Sequence, residues 1–196
     1  DPIGKCIKRN GFVNILYDDI RYINCVKEKG GYDGYVFVSA ENSFKKPQSY
    51  FIYSLFYFEV KCKFEGEMNK GGKFMDIRLK NLKTNKYIYY SAKFSTIYNE
   101  KDESFQLTRF PWNNYDIFGC GLVYPPISRV NEFPYVFFTQ NGKQIGKGIL
   151  LKENSDAYKS GASLKCCSVE SNFGNDLMSK PFTYDVSKHQ ILKEFY

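Results

Sequence analysis

The chain contains a single histidine, His189, so any Ser-His or Cys-His nucleophile pair would have to be built on it. No Gly-x-Ser-x-Gly or comparable context accompanies it, and it reads as an exposed surface histidine near the C-terminus. Metal chemistry fares no better. Cys166 and Cys167 are adjacent, without the two-residue spacer that lets two thiolates grip one zinc ion, and Cys6, Cys25, Cys62 and Cys120 are scattered. Asp18-Asp19, Asp102-Glu103 and Asn154-Ser155-Asp156 lack the alternating oxygen ligands and closing Glu of a calcium loop. The pairs Gly30-Gly31 and Gly71-Gly72 have no following Lys-Ser/Thr and read as turns, not phosphate cradles. The expectation is a chain that is not an enzyme and carries no metal and no cofactor.

With no nucleophile in view, binding is the remaining class, and charge is its first clue. The formal net charge of +7 points to an acidic partner only if the cations cluster. Lys27/Lys29, Lys45/Lys46, Lys61/Lys63, Lys80/Lys83/Lys86 and Lys143/Lys147 are instead spread along the chain, several with acids between them. They read as a solvated surface; the alternative is an electrostatic binder of nucleic acid or anionic lipid headgroups. No apolar run approaches the roughly 18 to 20 residues of a membrane span, and the chain reads as soluble. Cys62 and Cys120 fall among apolar residues, where a free thiol behaves as a small hydrophobe. Reduced thiols and the absence of an Asn-x-Ser/Thr sequon favour a cytoplasmic setting. The chain opens at Asp1 with no initiator Met and reads as a processed product or an expressed fragment.

Aromatic residues at 18%, with 17 Tyr and 18 Phe, suit pleated, half-buried surfaces, and the composition reads as all-β. The strongest local signal is Asn141-Gly142. Both residues tolerate the positive φ that a two-residue type I′ hairpin turn needs at its centre. The register then pairs Gln140 with Lys143, Thr139 with Gln144 and Phe138 with Ile145, placing Val136, Phe138 and Ile145 on one face. Phe56, Phe58, Val60 and Cys62 alternate with Tyr57, Glu59, Lys61 and Lys63, the period of a strand with one dry and one wet face. Met75, Ile77 and Leu79 alternate likewise against Asp76 and Arg78, and Asn81 to Lys86 makes the turn into Tyr87-Ile88-Tyr89-Tyr90. Asp18-Asp19 reads as a turn between short extended pieces. Tyr22 to Val26 and Tyr35 to Val38 read as two arms of one hairpin. Lys93 to Trp112 gives no clear period. Ala162 to Lys165 and Ser168 to Phe173 read as a final hairpin with Cys166-Cys167 at its tip and Val169 and Phe173 in the core. Pro181 to Val186 reads as extended, and Ser187-Lys188-His189-Gln190 has capping-box spacing for a short helix over 187–196 that packs on the sheets. At 196 residues without repeat or linker, one domain is expected: an N-terminal extension over 1–20, a core over about 21–186 and the helix.

Four segments in order carry a family resemblance. Phe56-Tyr57-Phe58-Glu59-Val60, Tyr115 to Val123, Phe137 to Gly146 and Ser168 to Gly174 resemble the "YYFEV", "GDVIGCxV", "FFTKNGxxLG" and "VxxNFG" segments of SPRY domains, the family that includes the RanBPM proteins. The resemblance implies a two-sheet antiparallel β-sandwich. It also implies a protein-protein interaction module that binds a peptide or protein surface through loops at one end of that sandwich. Family members serve as adaptors, as substrate-recognising parts of ubiquitin ligases, or as effectors secreted by parasitic nematodes. Carried over by position, the first binding loop falls on Ala40, Glu41, Asn42 and Ser43, and the tip of the late hairpin on Lys165 and Cys166. Phe110-Pro111-Trp112 stands where many members have a "PGW" and an acidic-glycine turn, so loop contacts there do not transfer. From this sequence alone, Tyr32 and Trp112 are added as aromatic anchors. For Trp112 a core role stands beside the binding one.

Overall fold

The computed structural model describes residues 4–6, 12–16, 19–23, 35–48, 51–64, 72–108, 110–152 and 155–196. Its strands, numbered β1–β15 in chain order, form two antiparallel sheets. The first runs in space as β1 (Gly4–Cys6), β2 (Phe12–Leu16), β3 (Asp19–Ile23), β15 (Cys167–Asn172), β6 (Ser54–Phe64), β11 (Ile117–Tyr124), β12 (Tyr135–Gln140) and β13 (Lys143–Leu150). The second runs as β10 (Ser104–Gln106), β9 (Thr96–Tyr98), β8 (Tyr87–Ser91), β7 (Phe74–Asn81), β14 (Ala157–Lys165) and β4 (Val36–Ser39), with β5 (Phe44–Lys45) also paired to β14. Phe58, Val60, Cys62, Leu122 and Phe138 of the first sheet meet Met75, Ile77, Leu79, Tyr90 and Leu164 of the second in one core. This is the expected all-β sandwich, with Cys62 and Cys120 buried as free thiols inside it. Each such large apolar side chain contributes roughly 1.5 to 3 kcal/mol on leaving water.

The Asn-Gly hairpin forms in the expected register, Gln140 opposite Lys143 and Phe138 opposite Ile145, with Asn141 at φ 49° and Gly142 at φ 75°. A bulge between Val136 and Phe138 then lets Val136 face Ile149, keeping both arms' apolar residues on the core side. β2 and β3 pair antiparallel with Leu16 opposite Asp19, so Asp19 of the expected Asp18-Asp19 turn lies in a strand, while Asp18 lies outside the described residues.

Four expectations are corrected. Residues 36–39 do not return against β3; β4 pairs with β14 in the opposite sheet. The final hairpin does not exist either, because β14 pairs with β7 while β15 pairs with β6. Only Cys166 separates them, at φ 52°, and one residue is too short to fold neighbouring strands together, so the chain rolls from one sheet to the other. The C-terminal helix shrinks to a 3-10 turn, Val186–Lys188, capped by Asp185. Beyond it the backbone is drawn along β13, where Gly148 N donates to Glu194 O and Tyr196 N to Gly148 O, so 190–196 cannot coil. Finally, the wet face of β6 is half dry: Tyr57 and Glu59 are buried, and only Lys61 and Lys63 reach solvent.

The cover over that face is the chain's own end. Phe182, Tyr184, Val186, Leu192 and Phe195 pack on Tyr57, Val123, Tyr135 and Phe137, a second apolar layer outside the first sheet. Residues 93–112, unreadable by period, supply β9 and β10, each only three residues long.

Candidate functional site

With the outer face of β6, β11 and β12 partly covered by the C-terminal segment, the outer face of the second sheet, which carries exposed aromatic side chains, is the surface of interest. Strand alternation sends Met75, Ile77, Leu79, Ile88 and Tyr90 inward, so Phe74, Asp76, Arg78, Tyr87 and Tyr89 point out. Phe37 of β4 and Tyr98 of β9 extend the same face. Phe37 is 60% exposed, Phe94 52%, Tyr35 48% and Tyr87 38%.

These rings are organised around cations. The Arg78 guanidinium carbon lies 4.7 Å from the Phe37 ring and 5.0 Å from the Tyr87 ring, held between the two. Such cation-π contacts are worth about 0.5–1 kcal/mol at exposed sites, more when desolvated. Tyr35 stands edge-on to Phe74 at 4.9 Å, and Phe74 meets Phe94 at 6.3 Å. Lys165 Nζ sits over Tyr35 at 5.6 Å and Lys93 Nζ over Phe94 at 5.4 Å. Tyr89 and Tyr98 stack at 4.5 Å.

Beneath the rings runs a polar row. Asp76 is flanked in register by Ser163 and Ser91, and all three are buried. Asp76 Oδ2 lies 3.6 Å from Arg78 Nη2. Asp76 Oδ1, Arg78 Nε, Ser91 Oγ and Ser163 Oγ have no hydrogen-bond partner among the described residues. Burial raises the Asp76 carboxyl to about 6 against the lowering pull of the Arg78 charge, and burial also lowers Arg78.

The predicted site residues fall into separate places. Ala40, Glu41, Asn42 and Ser43 follow β4, with Ala40 N donating to Ser160 O. Lys165 and Cys166 lie at the other end of β14, beside Val36 and Phe74. Five residues of strand, roughly 17 Å, separate the two groups. They flank the aromatic face at opposite ends and do not form one cluster. Glu41 and Asn42 are exposed, whereas Cys166 is buried against Val36 and offers its backbone more than its thiol. Trp112 is half-buried and packs on the core, edge-on to Phe64 at 5.0 Å. Tyr32 lies outside the described residues.

His189 is half-buried, not the exposed surface histidine expected. It stacks on Phe137 at 4.2 Å, with Nε2 2.9 Å from the Tyr135 hydroxyl and Nδ1 2.7 Å from the Tyr184 hydroxyl. Burial lowers its pKa. Among the described residues no group of three His, Cys, Asp or Glu side chains is placed to hold a metal.

Sequence reasoning missed Phe37, Arg78, Tyr87 and Phe94 as surface candidates. The signal was present for two of them, since the period that sends Ile77 and Ile88 inward leaves Arg78 and Tyr87 on the opposite face. The resemblance motifs, by contrast, prove structural. Glu59 of Tyr57-Phe58-Glu59-Val60 accepts from the Tyr57 hydroxyl and from the backbone N–H groups of Thr183 and Tyr184, each at 2.9 Å, and so clasps the C-terminal cover. A Cβ on Gly119 would lie 1.9 Å from the Tyr57 hydroxyl oxygen. Asn172 Nδ2 donates to Lys180 O, and its Oδ1 accepts from Gly174 N.

A crystal structure of a human SPRY domain superposes on the chain with a TM-score of 0.60 at 19% identity, covering 84% of this chain and 97% of that one. The chain has a SPRY-like fold. Two further structures align less well: a carbohydrate-binding module from Bacillus subtilis at TM-score 0.44 and 8% identity (83% of this chain, 89% of that), and the lectin UEA-II complexed with galactose at 0.36 and 10% (87% and 86%). No protein-family model and no curated protein matches the chain. No helix among the described residues of this SPRY-like sandwich is long and apolar enough to cross a membrane.

Proposed function

We propose that the chain is a non-enzymatic protein-binding module whose contact surface is the outer face of the second sheet, bounded by Ala40–Ser43 at one end and Lys165–Cys166 at the other. The observation that carries the reading is the contrast between the sheets. The first is covered over Tyr57, Val123, Tyr135 and Phe137 by the chain's own C-terminal segment, while the second leaves Tyr35, Phe37, Tyr87 and Phe94 exposed on a rigid scaffold. Exposed aromatic side chains and arginine are the residue types that anchor protein interfaces, because they bury much area for little lost freedom. A role as adaptor, as the substrate-recognising part of a ubiquitin ligase, or as an effector follows from the family resemblance, and the four buried thiols suit a reducing, cytoplasmic setting.

A second reading has its own support. Lys93, Lys165, Arg78 and Lys80 all sit over rings on this face, an arrangement that also suits stacked bases and phosphates. The test is affinity capture from lysate with and without nuclease, at low and high salt, comparing the chain with a Phe37→Ala, Tyr87→Ala variant and a Glu41→Lys, Lys165→Glu variant. Discrete proteins that survive nuclease and salt and vanish with the variants support protein binding. Capture that collapses with nuclease or salt supports the anionic ligand instead.

A further inference from the structure

Asp76 is the only acidic residue in the strands of the second sheet, which also carry Lys45, Arg78, Lys80, Lys159 and Lys165. It stands in the middle of the outer face. Register places it in a row that runs Phe37, Ser163, Asp76, Ser91 across β4, β14, β7 and β8. Arg78, two residues along β7, occupies the next row between Gly161 and Tyr89, and Tyr87 belongs to the row after that, opposite Lys80. Gly161 has no side chain to stand between the guanidinium and β4, so Arg78 reaches across it to Phe37 on one side and to Tyr87 on the other, at 4.7 and 5.0 Å. Two of the exposed rings of the contact face are thus braced by one cation.

That cation is itself largely withdrawn from water, with its side chain 11% exposed and its Nε without a hydrogen-bond partner among the described residues. A buried charge needs a counter-charge, because ring faces attract a cation but do not neutralise it. Along β7 the carboxylate of Asp76 supplies one at 3.6 Å. The groups that face Asp76 from the neighbouring strands are the hydroxyls of Ser163 on β14 and of Ser91 on β8, with Tyr89 one step on. None carries an opposing charge near neutral pH. The ammonium groups of Lys165 and Lys93 lie over Tyr35 and Phe94 instead. Arg78 therefore depends on a single carboxylate, and that carboxylate takes up a proton near pH 6 because burial disfavours its charge.

We propose that Asp76 is the positioning residue of the aromatic face, its carboxylate holding the Arg78 guanidinium between Phe37 and Tyr87 and releasing it when the carboxylate is protonated. Once Asp76 is neutral, Arg78 would be a buried cation without a counter-charge, and its flexible stem carries the guanidinium out to water. The face then changes from two braced rings around a compensated charge to loose rings beside a free cation. This inference rests on the reading of that face as the contact surface, and it makes binding there respond to pH.

The test follows the Arg78 Nε–H and Cδ–H signals of the isotope-labelled chain by NMR from about pH 4.5 to 7.5, beside the Asp76 carboxyl carbon. While Arg78 sits between the rings, their currents displace its proton signals. The displacement is expected above about pH 6 and lost below it, with the same midpoint as the Asp76 carbon. Asp76→Asn should give the low-pH position at every pH, with the Ile77 and Leu79 signals reporting that the sandwich is intact. Should that variant fail to fold, the wild-type titration alone decides. Arg78 signals that stay displaced while Asp76 titrates, or that stay displaced in folded Asp76→Asn, would overturn the proposal, as would an Asp76 carbon that does not titrate in this range. No partner enters the measurement, so its outcome is separate from capture by the Phe37→Ala, Tyr87→Ala variant, which tests the face itself.

Discussion

Glu59 shows how much a single side chain settles in this molecule. Its carboxylate is 4% exposed and accepts three hydrogen bonds, two of them from backbone N–H groups of the C-terminal cover. Removing it in Glu59→Ala strands those donors, and charge-assisted bonds of this kind are worth roughly 1.5 to 3 kcal/mol each. The expected result is a loss of about 3 kcal/mol in urea unfolding and proteolytic release of residues beyond 181 before the sandwich opens. Two other residues set opposed pH dependences. His189, its pKa lowered by burial against Phe137, Tyr135 and Tyr184, adds stability above its ordinary value of about 6.5 that is lost as pH falls through the folded pKa. Asp76, raised to about 6 from an unfolded value of about 3.9, binds more protons folded than unfolded. Its neutral form favours the fold at low pH, and up to about 3 kcal/mol is lost as pH rises from about 4 to 6. Urea midpoints across pH 4 to 7 should show that rising-pH loss vanish in Asp76→Asn, and the low-pH loss vanish in His189→Gln.

At the scale of elements, close approach decides what is tolerated. In β11, Gly119→Ala drives a methyl into the Tyr57 hydroxyl and Thr139 Oγ1, 1.9 and 2.4 Å away. Neither can retreat, because they hydrogen-bond each other at 2.7 Å. A cost of about 3 kcal/mol or more is expected. Gly142→Ala should cost less, about 1–2 kcal/mol, from φ 75° and a contact with Thr183 O at 2.7 Å; thermal midpoints of the two variants rank them. The Asn-Gly hairpin and the β6, β7 and β8 alternations were legible in sequence because local periodicity and turn chemistry fix them. The sheet switch at Cys166 and the partner of β4 were not, since both depend on which sheet a strand joins, a long-range choice that no local period encodes. The C-terminal segment does not form the expected helix for the same reason: Asp185, not Ser187, caps the short Val186–Lys188 turn, and pairing with Gly148 draws the rest along β13. Of the candidate site, the flanking residues came from resemblance. Arg78 and Tyr87 were readable as outward-facing, but nothing in the sequence revealed that the C-terminal segment would cover part of the other sheet's outer face and leave theirs open.

For the whole molecule, the proposed function rests on the asymmetry between a first sheet covered at β6, β11 and β12 by the C-terminal segment and a second sheet whose outer aromatic side chains are exposed. The same logic separates folding from binding: variants on the open face should lose partner without losing stability, whereas variants under the C-terminal cover should lose both. The most direct measurement is a calorimetric titration of the captured partner against the wild-type chain and Phe37→Ala, Tyr87→Ala, with unfolding midpoints taken alongside. The expected outcome is affinity weakened about tenfold or more, or about 1.4 kcal/mol, at an unchanged midpoint. Unaltered affinity in a folded variant would contradict the account and move the contact surface off the second sheet.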